Sequence, residues 1–353
     1  MSWRDNLIKI EPYVAGEQPN KTDFIKLNAN ENPYPPAPGV LRAIEQFRGG
    51  SLKKYPDANA KPLADALAKR FGLQRENVFV GNGSDDVLAL CFRAFFNSDK
   101  PVIYPDITYS FYPVWCEMLH IPFETIPVDD SFNINAEDYK RPNGGVVIAN
   151  PNAPTSIGRG LDFVREILDA NPDSVVISDE AYVDFGGTSS VPLLKEYKNL
   201  VVVQTFSKSR SMAGMRIGYA MGSAELIKAL NDVKYSFNSY TMNRTSILLG
   251  TASIEDDVYF KETVEKIVNT REWFKAEMKK LGFTFPDSKA NFLFASHPKV
   301  PAKEIFEAAR EKDIYVRYFD KPRINNYLRI TIGTDEEMEK FLKFLTSFLK
   351  SQK

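Results

Sequence analysis

Gln204-Thr205-Phe206-Ser207-Lys208-Ser209-Arg210-Ser211-Met212-Ala213-Gly214-Met215-Arg216-Ile217-Gly218-Tyr219 decides the reading of this chain. Leu200 to Val203, just before it, is an apolar and mostly β-branched run of the length of a short buried strand. Ser207-Lys208 follows at the mouth of that strand. A small, polar, glycine-containing loop then leads to Arg216. Lysine is seldom buried without a partner or a task. A desolvated lysine beside a second cation has a lowered pKa and can form a Schiff base. Arg216 supplies such a cation and a fork suited to phosphate. A surface lysine capping a strand fits this stretch equally well, so the rest of the chain has to decide.

Further strands are expected at Val78–Val80, Pro101–Tyr104, Val146–Ala149 and Val175–Ser178, with helical segments between them, including Ala60–Arg70 and Leu161–Ala170. Strands alternating with helices predict an α/β fold: a mostly parallel sheet sandwiched by helices. Ligands of such sheets sit beyond the carboxyl ends of the strands. Gly81-Asn82-Gly83-Ser84-Asp85, Asn150 to Thr155, Asp179-Glu180-Ala181-Tyr182 and Ser207-Lys208 all fall at those ends. Gly83-Ser84-Asp85 also opens a helix, which suits an anion bound by backbone amides. No Gly-Lys-Ser/Thr follows, so this is not a Walker loop.

Around this sheet the sequence predicts an N-terminal arm with a short helix (1–50), a large domain (51–252), a long connecting helix (253–281, helical from Ile254 to Leu281) and a smaller α+β domain (282–353). The chain of 353 residues is 43% hydrophobic and 26% charged, with 45 basic and 46 acidic residues and a net charge of −1. That balance offers neither nucleic acid nor a membrane a complementary surface. The N-terminus lacks a signal-peptide core, which predicts a cytoplasmic location. Cys91 and Cys116 have no metal-type spacing, and His120 and His297 are too few for a His-rich site, so no metal is expected.

Set together at strand ends, Lys208, Arg216, Asp179, Tyr182 and Tyr109 describe a pocket for pyridoxal phosphate. The carboxylate of Asp179 would keep the ring nitrogen protonated, Tyr182 could reach the phenolic oxygen, and Tyr109 could stack on the ring. The chain also resembles the fold-type I aminotransferases over nearly its whole length. The resemblance rests on Asn28-Ala29-Asn30-Glu31-Asn32-Pro33-Tyr34, Tyr55-Pro56-Asp57, Gly81 to Asp85, Thr108-Tyr109, Asp179 to Phe185, Ser207 to Tyr219 and Leu328 to Thr334. The Asn-Glu-Asn-Pro, Gly-Asn-Gly-Ser-Asp and Asp-Glu-Ala-Tyr-Val-Asp-Phe runs point to the histidinol-phosphate branch.

That resemblance implies Lys208 as the catalytic residue, carrying the cofactor and moving the proton. It implies that Gly83, Ser84, Asp85, Ser207 and Arg216 hold the phosphate, and that Tyr55 reaches the phosphate across a homodimer interface. Arg329, helped by Arg317, Tyr13 and Asn30, would hold the carboxylate of glutamate or 2-oxoglutarate and the phosphate of histidinol phosphate. Relatives carry Asn-Pro-Thr-Gly where this chain has Ala153-Pro154-Thr155-Ser156, so either Asn152 replaces the missing ring contact or Tyr182 serves alone. Tyr109, Phe111 and Tyr112 would suit an imidazole or a phenyl ring. Two other enzyme readings share these motifs: a threonine-phosphate-type decarboxylase and an aromatic amino acid aminotransferase. A non-enzymatic regulatory module would require an added DNA-binding domain, for which the sequence before residue 28 leaves no room.

Overall fold

The computed structural model describes residues 2–14 and 16–352. In chain order, β1 (Ile25–Leu27) precedes α1 (Pro38–Gln46), α2 (Lys61–Phe71), β2 (Val78–Gly81), α3 (Ser84–Phe95) and β3 (Val102–Pro105). Next come α4 (Phe111–Leu119), β4 (Phe123–Ile126), β5 (Gly145–Ala149), α5 (Leu161–Ala170), β6 (Val176–Asp179), β7 (Leu200–Thr205) and β8 (Gly218–Gly222). The chain then forms α6 (Ala224–Phe237), α7 (Arg244–Glu255), α8 (Asp257–Lys280), β9 (Phe292–Ala295), α9 (Ala302–Glu311), β10 (Ile314–Tyr318), β11 (Leu328–Thr331) and α10 (Asp335–Ser351).

Seven strands form the larger sheet in the order β2-β8-β7-β6-β5-β3-β4. Only β8 runs against its neighbours. The consequence is local and decisive: the start of β8 lies at the same edge as the carboxyl ends of the other strands. Strands β5, β6 and β7 are buried along their whole length, as strands covered on both faces must be. Helix α5 shows how the cover is made: Phe163, Val164, Ile167 and Leu168 recur at helical spacing and are buried together.

The smaller sheet has the order β1-β10-β11-β9. Its edge strand β1 pairs parallel with β10, from Ile25↔Ile314 to Leu27↔Val316. Three residues are too few to announce a strand in the sequence, and the N-terminal segment 1–50 was expected as an arm and a short helix. Its strand instead joins the C-terminal sheet, and Leu27 is wholly buried in that sheet's core. Residues 28–31 are thereby carried to the space between the sheets.

The uninterrupted helix expected from Ile254 to Leu281 is two helices. Asp256 leaves helical geometry (φ −97°, ψ 78°), and its carboxylate accepts the Tyr259 amide at the start of α8. Aspartate competes with the backbone ladder and favours such a cap over a helix interior. Neither a glycine nor a proline marks the break, which is why apolar periodicity ran through it.

Candidate active site

The wall of a cavity of about 230 Å³ includes Tyr13, Asn30, Ser84, Asp85, Tyr109, Asp179, Tyr182, Ser207, Lys208, Arg216, Arg317 and Arg329. Both sheets contribute to it. Strand ends bring Asp179 and Lys208, the turn before β8 brings Arg216, the segment after β1 brings Asn30, and β10 and β11 bring the other two arginines.

At one end of the cavity, β2 turns through Gly83 into α3. Gly83 has φ +90°, and a Cβ there would stand 2.6 Å from Arg216 Nη2. Gly218 is equally constrained, since a Cβ would lie 2.3 Å from the Ser84 nitrogen. Two glycines thus let the start of β8 and its arginine close down on the first turn of α3. No side chain caps that turn. Its free amides and the Arg216 guanidinium make a site for a dianion such as phosphate. Arg216 Nη2 meets Asp85 Oδ2 at 3.2 Å, and Tyr109 donates to Asp85 Oδ1 at 2.8 Å, so Asp85 fixes both neighbours.

In the middle of the cavity, Asp179 is buried. Its Oδ2 accepts the Tyr112 hydroxyl at 2.7 Å, and its Oδ1 has no hydrogen-bond partner. Burial raises its pKa from 3.8 to about 6, while hydrogen bonds from Tyr112 and the Ala181 backbone pull it back. Lys208 Nζ donates to the Ala29 carbonyl at 3.1 Å and lies 5.7 Å from the centre of the Tyr182 ring. The Tyr182 hydroxyl accepts Asn30 Nδ2 at 2.9 Å, which leaves its own proton free for another acceptor. Asn30 is held in the left-handed region (φ 55°) by bonds to Thr331 Oγ1 and from Asn291 Nδ2.

At the far end, Arg317 and Arg329 are direct cross-strand partners on β10 and β11. Like charges placed opposite one another repel unless an anion lies between them. Arg329 Nη2 donates to the Asn28 carbonyl at 2.8 Å, and its Nε is buried without a partner. Desolvation lowers the pKa of Arg329. Tyr13 closes this end, stacked on Phe111 with ring centres 4.3 Å apart.

Two sequence expectations come out differently. Asn152 is not turned to the cavity: its Oδ1 accepts Thr108 Oγ1 at 2.7 Å, and its Nδ2 donates to the Ile107 carbonyl and to Thr155 Oγ1. With its polar atoms so engaged it cannot replace the ring contact, and Ala153 lines the wall beside it. Tyr112 faces no substrate space, being fully buried and bonded to Asp179. Tyr55, expected to act on a neighbouring subunit's site, lies outside the cavity of its own chain, is 78% exposed and stacks on Tyr240 at 4.7 Å. Sequence reasoning missed the carbonyls of Asn28 and Ala29, which hold Arg329 and Lys208. Their only signal was the polar, proline-ended run in which they lie.

The arrangement suits a flat group with an anion at one end and a cationic ring nitrogen in the middle. The unpaired Asp179 Oδ1 and the glycine-lined cradle under Arg216 suit the ring nitrogen and the phosphate of pyridoxal phosphate, and Lys208 lines the same cavity.

Residues 22–345 match the family described as aminotransferase class I and II. The chain is 53% identical over 352 residues to a histidinol-phosphate aminotransferase of Lactococcus lactis subsp. cremoris, covering 100% of this chain and 99% of that one. It is 51% identical over 350 residues to one of Acinetobacter baylyi, covering 98% and 97%. The solved histidinol-phosphate aminotransferase of Sinorhizobium meliloti, in complex with pyridoxal-5'-phosphate, superposes with a TM-score of 0.83 at 25% identity, covering 93% of this chain and 92% of that one.

The buried carboxylate makes stability depend on pH. Because the folded state raises the pKa of Asp179, it binds that proton more tightly than the unfolded chain. The stabilisation is complete below pH 3.8 and is lost as pH rises through about 6. In the cofactor-free protein, Asp179→Asn is therefore expected to stabilise at pH 8, by up to about 3 kcal/mol for a shift of this size. The gain should fade toward pH 4. Urea unfolding at pH 8, 6 and 4 checks this, and a gain that is equal at all three would contradict it.

Proposed function

The chain belongs to the aminotransferase class I and II family, and from that premise we propose that it is a pyridoxal phosphate-dependent aminotransferase. It moves an amino group between L-histidinol phosphate and 2-oxoglutarate, a step of L-histidine biosynthesis. The observation that carries this reading is the cross-strand pair Arg317 and Arg329, facing the same cavity as Lys208 and Asp179. The two substrates share one requirement at that end: each presents an anion, a phosphate in one and a carboxylate in the other. A paired guanidinium site serves both.

When bound, the cofactor supplies an aldehyde carbon for the amine and a protonated ring that withdraws electrons from the substrate's Cα. Lys208 Nζ would hold that carbon and then, once displaced, take and return the Cα proton. Its bond to the Ala29 carbonyl keeps the amine aimed into the cavity while leaving it free to exchange partners. Asp179 Oδ1 would hold the ring nitrogen, and Tyr182 alone would donate to the phenolic oxygen, since Asn152 is engaged elsewhere. Gly83, Ser84, Asp85, Ser207 and Arg216 would hold the phosphate, with Tyr109 over the ring. Arg329, Arg317, Asn30 and Tyr13 would bind the substrate's anionic end.

The same reading makes the protein a homodimer in the cytoplasm. No helix among the described residues is long and apolar enough to cross a membrane. Tyr55, Leu52, Leu41, Ile44 and Tyr240 are exposed apolar side chains, an excess that supports burial against a second copy. Tyr55 would then reach the partner's cofactor phosphate.

Two experiments test the proposal. Glutamate alone is expected to convert the bound cofactor to its amine form with one equivalent of 2-oxoglutarate released, and histidinol phosphate is expected to be a far better donor than phenylalanine. Carbon dioxide released from threonine phosphate, without transamination, would overturn the reading. For the interface, a mixture of Lys208→Ala and Tyr55→Ala proteins should regain up to about a quarter of wild-type activity, because half the dimers would be hybrids with one intact site. No recovery after confirmed subunit exchange would place Tyr55 outside the neighbouring site.

A further inference from the structure

Of the buried tyrosines, Tyr112 is the one whose hydroxyl donates to the buried carboxylate of the cavity, Asp179. Tyr104 and Tyr139 bury their hydroxyls without a hydrogen-bond partner, whereas the Tyr112 hydroxyl donates to Asp179 Oδ2 at 2.7 Å. The side chain is 0% exposed and does not line the cavity. Its ring is locked on α4 among Tyr104, Tyr109, Phe92 and Trp115, with centres 5.6 to 6.2 Å away. A ring so enclosed has one orientation, and the hydroxyl therefore has one acceptor.

We propose that Tyr112 is a positioning residue of the proposed transamination: its hydrogen bond fixes the plane of the Asp179 carboxylate and keeps that carboxylate ionised, so that Oδ1 faces the cofactor's ring nitrogen as an anion. The inference rests on the assignment of Asp179 as the ring-nitrogen partner. Three observations carry it beyond packing. First, Oδ2 is held by Tyr112 while Oδ1 is left without a partner, so the bond decides which oxygen is free. Second, the surroundings oppose ionisation. Asp85 on α3 and the adjacent Glu180 are like charges, Cys91 on α3 is an uncharged thiol, and burial is the largest effect of all. Lys208 and Arg216 line the same cavity but make no hydrogen bond to Asp179. The Tyr112 hydroxyl is thus the one side-chain hydrogen bond that favours the anion. Third, Tyr112 itself cannot compete for the charge, because burial and the neighbouring carboxylate raise its own pKa well above the ordinary tyrosine value. It is a donor at every pH the protein meets.

The test is a double-mutant cycle read at two pH values. Tyr112→Phe keeps the ring and removes only the hydroxyl. In full-length protein freed of cofactor, it is expected to lower the folding equilibrium constant roughly tenfold more at pH 8, where Asp179 is charged, than at pH 5. In an Asp179→Asn background that pH dependence should vanish. In the holoenzyme, Tyr112→Phe should lower kcat by roughly tenfold or more with KM little changed, because the bond acts on the ring nitrogen and not on the substrate's anion. The acid limb of the rate profile should move to higher pH. A loss that is the same at both pH values and in both backgrounds, with kcat intact, would make Tyr112 a packing residue and overturn the proposal. Should Tyr112→Phe fail to fold, folding of Tyr112→Phe/Asp179→Asn would support the proposal, and failure of both would overturn it. The cofactor-free measurements do not depend on the reaction, so failure of the proposed activity would be seen separately.

Discussion

A carboxylate held in a place where water cannot solvate it is the constraint on which this structure turns. Asp179 ends the central, fully buried strand of the larger sheet, and burial pushes its pKa up, to about 6. Such a group persists only if the surroundings compensate, and compensation here comes from the Tyr112 hydroxyl and the Ala181 backbone. Asp179 lines the cavity, and its Oδ1 is buried without a hydrogen-bond partner. The charge is therefore incomplete in the protein alone, and a cationic partner of the right shape completes it. In the proposed function that partner is the protonated ring nitrogen, and the price of burying Asp179 is returned as electron-withdrawing power.

The remaining charges follow from how the sheets are joined. An antiparallel β8 places its first residues beside the carboxyl ends of parallel strands, which brings Arg216 onto the first turn of α3. A three-residue strand from the N-terminal segment closes the smaller sheet and carries Asn28, Ala29 and Asn30 across to Arg329, Lys208 and Tyr182. Contacts between residues 152 to 301 positions apart in sequence thereby define one small space. Its two ends both suit anions, and its middle suits a flat aromatic cation. This is the geometry that an amine exchange between two anionic substrates requires.

Much of this was legible in the sequence. Strands β5, β6 and β7 are β-branched runs, and each ends in the residues that line the cavity, so Asp179 and Lys208 declared themselves by interrupting apolar patterns. Strand β8 did not, because Gly218-Tyr219-Ala220-Met221-Gly222 has no strand signature of its own and is a strand only through pairing on both sides. Strand β4 was silent for another reason: it is an edge strand with three exposed residues. Tyr112 was unreadable as a positioning group, since an aromatic residue among aromatic residues in a helix signals packing. Asn152 misled in the opposite sense. Its type and place suggested a ring contact, but direction is a property of the backbone turn, and the turn aims it at Thr108 and Ile107.

The most direct test of the central claim is the protonation state of the ring nitrogen. The full-length protein loaded with pyridoxal phosphate labelled with ¹⁵N in the ring would be followed by NMR from pH 6 to pH 9. The expected result is a protonated-nitrogen shift throughout that range in the wild type, moving to the neutral-pyridine shift in Asp179→Asn. A neutral-pyridine shift in the wild-type protein would show that Asp179 holds no cation there, and would contradict the account.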